Sequence, residues 1–96
     1  LLSSAGAPVI QNIVLPIAEI ETKIPLDRGC KKLLLQVREG GDLKIAFKEG
    51  ESATNYFTLR GFNTYYEDLI VGPFSLYIQS ETDNTIVEIV TWYHYD

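Results

Sequence analysis

The chain has 96 residues, the size of one domain, and its 46% hydrophobic and 22% charged content excludes a disordered tail or two cores joined by a linker. A net charge of −5, with eight Lys and Arg scattered along the chain, excludes a phosphate-binding surface, so no nucleic-acid partner is expected. A chain this short supports one thin core and leaves little room for a deep catalytic cleft.

Leu1 to Ala7 reads as a small, flexible, apolar-tipped N-terminal arm, or as an ordinary disordered terminus, on a single domain spanning residues 8–96. This opening lacks the basic start and long apolar stretch of a signal peptide, and no run approaches the roughly 18 apolar residues of a membrane helix. Leu1 stands where an initiating Met would be, which suggests a processed or partial chain and leaves the true start open. A protein made and kept in the cytosol, or released by lysis, is the expectation, with no membrane partner.

Short runs of β-branched and aromatic residues divided by turn residues recur from here on, and helical periodicity is missing. The first predicted strand is Pro8 to Leu15, which Pro16 ends or bends. In the second, Ile17 to Ile24, Ala18, Ile20, Thr22 and Ile24 face one way and Glu19, Glu21 and Lys23 the other. Pro25 to Gly29 reads as a turn. Cys30 to Arg38 and Leu43 to Lys48 flank Glu39-Gly40-Gly41-Asp42, where paired glycines suit a tight hairpin, and Leu43, Ile45 and Phe47 share a face opposite Lys44 and Lys48. Glu49 to Thr54 is a polar loop. Strands follow at Asn55 to Arg60 and Asn63 to Val71, around Gly61-Phe62, and Gly72-Pro73 ends the second of them. Phe74, Leu76 and Ile78 alternate with Ser75, Tyr77 and Gln79, and after the loop Ser80 to Asn84 the last strand runs from Thr85 to Tyr93.

About eight short strands with no helix between them must pair mostly antiparallel, because the connections are too short for parallel crossovers. Face alternation favours an all-β, antiparallel two-sheet sandwich of the jelly-roll kind over a small barrel, which would show repeated corner glycines.

The sequence offers no arrangement suited to catalysis, and an enzyme is not expected. His94, the lone histidine, lies two residues from the chain end, a poor foundation for a triad. Glu67 and Asp68 are strand neighbours and project to opposite faces, so they cannot converge on one bond. Glu19 and Glu21 share a face and read as a solvated strand edge. Cys30, the single cysteine, reads as a partly buried apolar residue at a strand start, so neither an intrachain disulfide nor a thiolate metal cage is available. The glycines lack the Lys and Ser/Thr of a phosphate loop. No metal or cofactor is expected.

What remains are aromatics: Tyr56, Phe57, Phe62, Tyr65, Tyr66, Phe74, Tyr77, Trp92, Tyr93 and Tyr95 crowd the second half. Both faces of the last strand are largely apolar, with Ile86, Val90 and Trp92 on one and Val87, Ile89 and Tyr93 on the other. Either another subunit covers the second face, or the strand twists across the sandwich with its Tyr hydroxyls in water. Tyr and Trp on rigid strands are good interface anchors. A carbohydrate-binding or host-surface module would use the same rings as stacking platforms, and would need Tyr65, Tyr77 and Tyr93 in line on one face.

The stretch Asn55-Tyr56-Phe57-Thr58-Leu59-Arg60-Gly61, then Tyr65-Tyr66-Glu67-Asp68-Leu69, Phe74-Ser75-Leu76-Tyr77-Ile78-Gln79-Ser80 and Val87-Glu88-Ile89-Val90-Thr91-Trp92-Tyr93, resembles small β-sandwich structural proteins of tailed bacteriophages, including head decoration or cement proteins. The resemblance spans roughly residues 30–93 and carries no active residues. It implies a virion protein assembled in the host cytoplasm, which sits on the capsid, binds the major capsid protein or other virion proteins, and self-associates, often as a trimer. Relatives of that kind also serve at the head-to-tail junction or in tails. The residues expected at its interfaces are Leu1 and Leu2 of the arm with Tyr65, Tyr66, Tyr77, Trp92, Tyr93 and Tyr95.

Overall fold

The computed structural model describes residues 8–26, 29–68, 70 and 74–93; the expected arm at residues 1–7, His94, Tyr95 and the Gly72-Pro73 break lie outside them. Eight strands form: β1 (Val9–Leu15), β2 (Thr22–Leu26), β3 (Cys30–Val37), β4 (Leu43–Ala46), β5 (Phe57–Leu59), β6 (Thr64–Glu67), β7 (Phe74–Ser80) and β8 (Thr85–Tyr93). They build two four-stranded antiparallel sheets, a first in the order β1-β8-β3-β6 and a second in the order β2-β7-β4-β5. The expected jelly-roll sandwich is therefore the fold: almost every connection crosses from one sheet to the other, and only β4 and β5 are both consecutive and paired.

Alternation fixes which side chains meet between the sheets. In β8, Thr85, Val87, Ile89 and Thr91 are buried while Ile86, Glu88, Val90 and Trp92 are half-buried on the other side. The core joins Leu15, Leu33, Leu35, Val87 and Ile89 of the first sheet to Ile24, Leu43, Ile45, Leu76 and Ile78 of the second. Cys30, expected to be partly buried at a strand start, begins β3 and is fully buried in this core.

Four local expectations are corrected. The chain turns at residues 17–19, with Glu19 at φ 64°, so the second strand begins only at Thr22, and Ile17 and Ile20 are exposed. Pro25 and Leu26 extend that strand instead of ending it; β2 is a sheet edge, where a missing donor is tolerated. Gly40-Gly41 is not a hairpin: β3 and β4 lie in different sheets, and the positive φ of 82° at Gly40 turns a corner between layers. Strands β4, β5 and β6 are shorter than their patterns suggest; β4 ends at Ala46, which is buried, and Phe47 is exposed beyond it.

The sheet-crossing turns support one another in pairs. Ala18 N donates to Asp83 Oδ1 at 2.7 Å, Glu19 N to the Ser80 carbonyl at 2.8 Å, and Asn84 N to the Pro16 carbonyl at 3.2 Å. Beside them Gly61 N donates to Asp42 Oδ1 at 2.7 Å. A Cβ on Gly61 would stand 2.1 Å from the Gly40 carbonyl oxygen, so this close backbone approach requires glycine.

Candidate protein-binding face

Residues directly opposite in an antiparallel sheet share a face, so the register of the first sheet writes its outer surface as rows. One row crosses all four strands and is apolar throughout: Ile10 of β1, Val90 of β8, Leu34 of β3 and Tyr66 of β6. Ile10 is 68% exposed and Tyr66 50%. The next row is polar: Asn12, Glu88, Gln36 and Thr64. Beyond it Val14, 52% exposed, stands opposite Ile86, and on the far side of the apolar row Trp92 stands opposite Lys32.

The polar row is a bonded ladder. Gln36 Nε2 donates to Glu88 Oε1 at 2.9 Å, Arg38 Nε to Glu88 Oε2 at 2.8 Å, and Thr64 Oγ1 to Gln36 Oε1 at 3.2 Å. Gln36 first, and Arg38 after it, hold the Glu88 carboxyl below its usual value of 4.5. The two donors fix the Glu88 side chain over the middle of the sheet, leaving Val90 and Leu34 beside it without polar cover.

The second sheet is different, because the long segment between β4 and β5 folds back over the middle of its outer face, at Gln79 and Ala46, and leaves Lys23 and Thr58 at its edges exposed. Ser52, buried there, donates from Oγ to Gln79 Oε1 at 3.0 Å, and Glu21 accepts from Gly50 N at 2.9 Å and Ser52 N at 3.1 Å. Glu21 is thus an anchor for a loop and not part of a solvated strand edge. Tyr77 lies on this face, opposite Lys23 and Ala46.

The expected interface aromatics therefore separate. Tyr66 and Trp92 share the outer face of the first sheet. Tyr65 and Tyr93 turn inward, partly buried against the core, and Tyr77 is on the other sheet, so the three do not share a face with Tyr66 and Trp92. The Tyr65 hydroxyl donates to Glu67 Oε1 at 3.2 Å; burial, with the charge and bond of Glu67, pushes its pKa up to about 12. Tyr65, Tyr77 and Tyr93 do not form the line that a sugar-stacking platform needs. Leu1, Leu2 and Tyr95 lie outside the described residues. Phe57 bridges Phe47 at 6.0 Å and Tyr65 at 5.1 Å between ring centres, so part of the aromatic surplus serves packing at one end of the sandwich.

Ile10, Leu34 and Val90 complete a row that aromatic content did not point to. A usable signal was the run Leu33-Leu34-Leu35: in a strand the middle Leu must face away from its neighbours, and here it faces out. Among the described residues no group of three or more His, Cys, Asp or Glu is placed to hold a metal ion.

No family model matches this chain, and no curated protein matches it. Among solved structures it is similar to a de novo designed double-stranded β-helix determined by solution NMR, at 16% identity and a TM-score of 0.55, over 88% of this chain and 97% of that one. That likeness is one of fold.

Proposed function

We propose that this protein is a non-enzymatic assembly protein that docks through the outer face of its first sheet onto an apolar surface of another protein. Its proposed setting is a bacteriophage virion, where it would act as a capsid decoration protein bound to the major capsid protein. The observation carrying the docking reading is the apolar row Ile10, Val90, Leu34 and Tyr66, which crosses the open outer face of the first sheet, whereas the middle of the second sheet's outer face lies under the protein's own loop. The virion setting is supported by the resemblance in the aromatic strands. Burying such a row contributes roughly 2.5 kcal/mol per 100 Å² of apolar surface before association costs. Trp92 at the row's flank supplies the large, stiff side chain that interface centres favour.

The test is add-back to phage heads assembled without this protein, read by co-sedimentation and by the temperature at which heads open. Wild type is expected to bind and raise that temperature. Leu34→Gln and Tyr66→Ser should bind at least about tenfold more weakly, while Thr58→Ala, on the other sheet, should behave as wild type. Heads that ignore the wild type, or that bind Leu34→Gln equally well, would remove the proposal.

A further inference from the structure

The two sheets have four edges, and three carry features that discourage pairing with another chain. Edge β5 has three residues, β6 has four and ends in Glu67, and β2 carries Lys23 and Pro25. The fourth, β1, has seven residues, Val-Ile-Gln-Asn-Ile-Val-Leu, with no charge, no proline and an unbroken register against β8 from Val9 to Leu15. Its residues from Val9 to Val14 are exposed, except Ile13, which is half-buried.

That edge is also close to palindromic about Asn12. Laid antiparallel on itself with Asn12 opposite Asn12, it places Val9 against Leu15, Ile10 against Val14 and Gln11 against Ile13. The even-numbered set faces outward in both copies, so the match preserves the faces of the sheet. The polar row Asn12, Glu88, Gln36 and Thr64 then runs on into the same row of the second copy. The apolar row through Ile10 and Val90 meets Val14 and Ile86 of that copy. Shifting the register by two residues, the smallest step that keeps the faces, sets Ile10 or Val14 against Asn12 and breaks both matches.

We infer that β1 pairs with β1 of a second copy about a two-fold axis at Asn12, joining two first sheets into one continuous eight-stranded sheet. About half of the edge residues direct both N–H and C=O outward, so on the order of six new backbone hydrogen bonds form across the axis. The partner is thus a second copy of this chain, bound through backbone pairing along an edge. This contact uses the backbone edge of β1, while docking uses the outer face to which Ile10 also belongs; the pairing needs no third protein, so its failure would leave the docking reading standing.

Sedimentation equilibrium of the purified chain, with Asn12→Lys beside it, tests the pairing. The wild type is expected to show twice the mass of one chain. Asn12→Lys brings two like charges together on the axis and should weaken the dimer at least about tenfold. Within one copy the new Lys stands opposite Glu88, so the fold is spared, which an unchanged melting temperature checks. A second variant reads the register directly. Asn12→Cys puts two thiols on strand positions with Cα atoms about 4.5 to 5.5 Å apart, inside the range of a disulfide, and should cross-link on mild oxidation. Ile10→Cys sets them roughly 13 Å apart and should not. A wild-type monomer at the highest soluble concentration, a dimer undisturbed by Asn12→Lys, or equal cross-linking by both cysteine variants would overturn the inference.

Discussion

Glu21 lies one residue before β2, and its carboxylate reaches across to the segment between β4 and β5, accepting from the amides of Gly50 and Ser52. The Ser52 hydroxyl is the main influence lowering its pKa from 4.5; partial desolvation opposes it, and the two amides add to the lowering. The Gln79 amide can turn its NH₂ toward Ser52, which leaves the hydroxyl proton for Glu21, so both groups can be satisfied together. A depressed folded-state pKa means that the stabilisation is fully present above the unfolded value and is lost as pH falls through the lower, folded value. Hydrogen exchange at Gly50 and Ser52 should therefore show protection factors that are flat at neutral pH and drop as pH is taken below 4.5. In Glu21→Gln that drop should vanish; if the pH dependence persists in the variant, another carboxylate fastens the loop. The alternation from Ala18 to Lys23 gave no warning of this role. A single residue at positive φ, Glu19, takes the segment out of strand geometry, and nothing in a Glu's identity marks such a position.

At the scale of the strand, β8 shows what alternation can and cannot reveal. Its bounds, Thr85–Tyr93, follow from the pattern, and so does the sharing of its residues between two faces. Which face is the core does not follow, because both sets are apolar and only the neighbouring sheet decides. The structure puts Ile89 wholly inside and Val90 on the outer row. Ile89→Ala should cost about 3 kcal/mol, as lost burial and a cavity combine, whereas Val90→Ala should cost roughly 1 kcal/mol or less. Urea unfolding of the two variants measures both. Similar losses would mean that the outer face is packed as tightly as the core, and would contradict the open row. The corner at Gly40-Gly41, whose residues would equally suit a hairpin, has a related cause. A short glycine-bearing connection can return a strand beside its predecessor or carry it to the opposite layer, and local turn chemistry is alike in the two cases. The layer is set by where β8 and β7 insert, and those strands lie far along the chain.

Over the whole molecule, the same insertion governs how the chain can assemble. Strand β1 pairs with β8, and Val9 meets Thr91 near the opposite end of the sequence, while β4 and β5 are the one described pair joined directly. Closing a longer loop costs more chain entropy before any contact repays it, so folds of this kind refold on a scale of about milliseconds to seconds. The β4 and β5 pair, backed by β7 through Ile45 opposite Ile78, is the lowest-cost start. The β1 edge can be added only after β8 has found its place beside β3. Ile45→Val should accordingly slow refolding, with most of its destabilisation appearing in the folding rate. Leu15→Ala in β1, though equally buried, should act mainly by speeding unfolding. Stopped-flow fluorescence from Trp92 reports both rates, and the comparison stays meaningful because each change should exceed roughly 0.6 kcal/mol. If Leu15→Ala instead slows refolding as much as Ile45→Val, the closing pair of the jelly roll forms within the nucleus and the local pair does not lead.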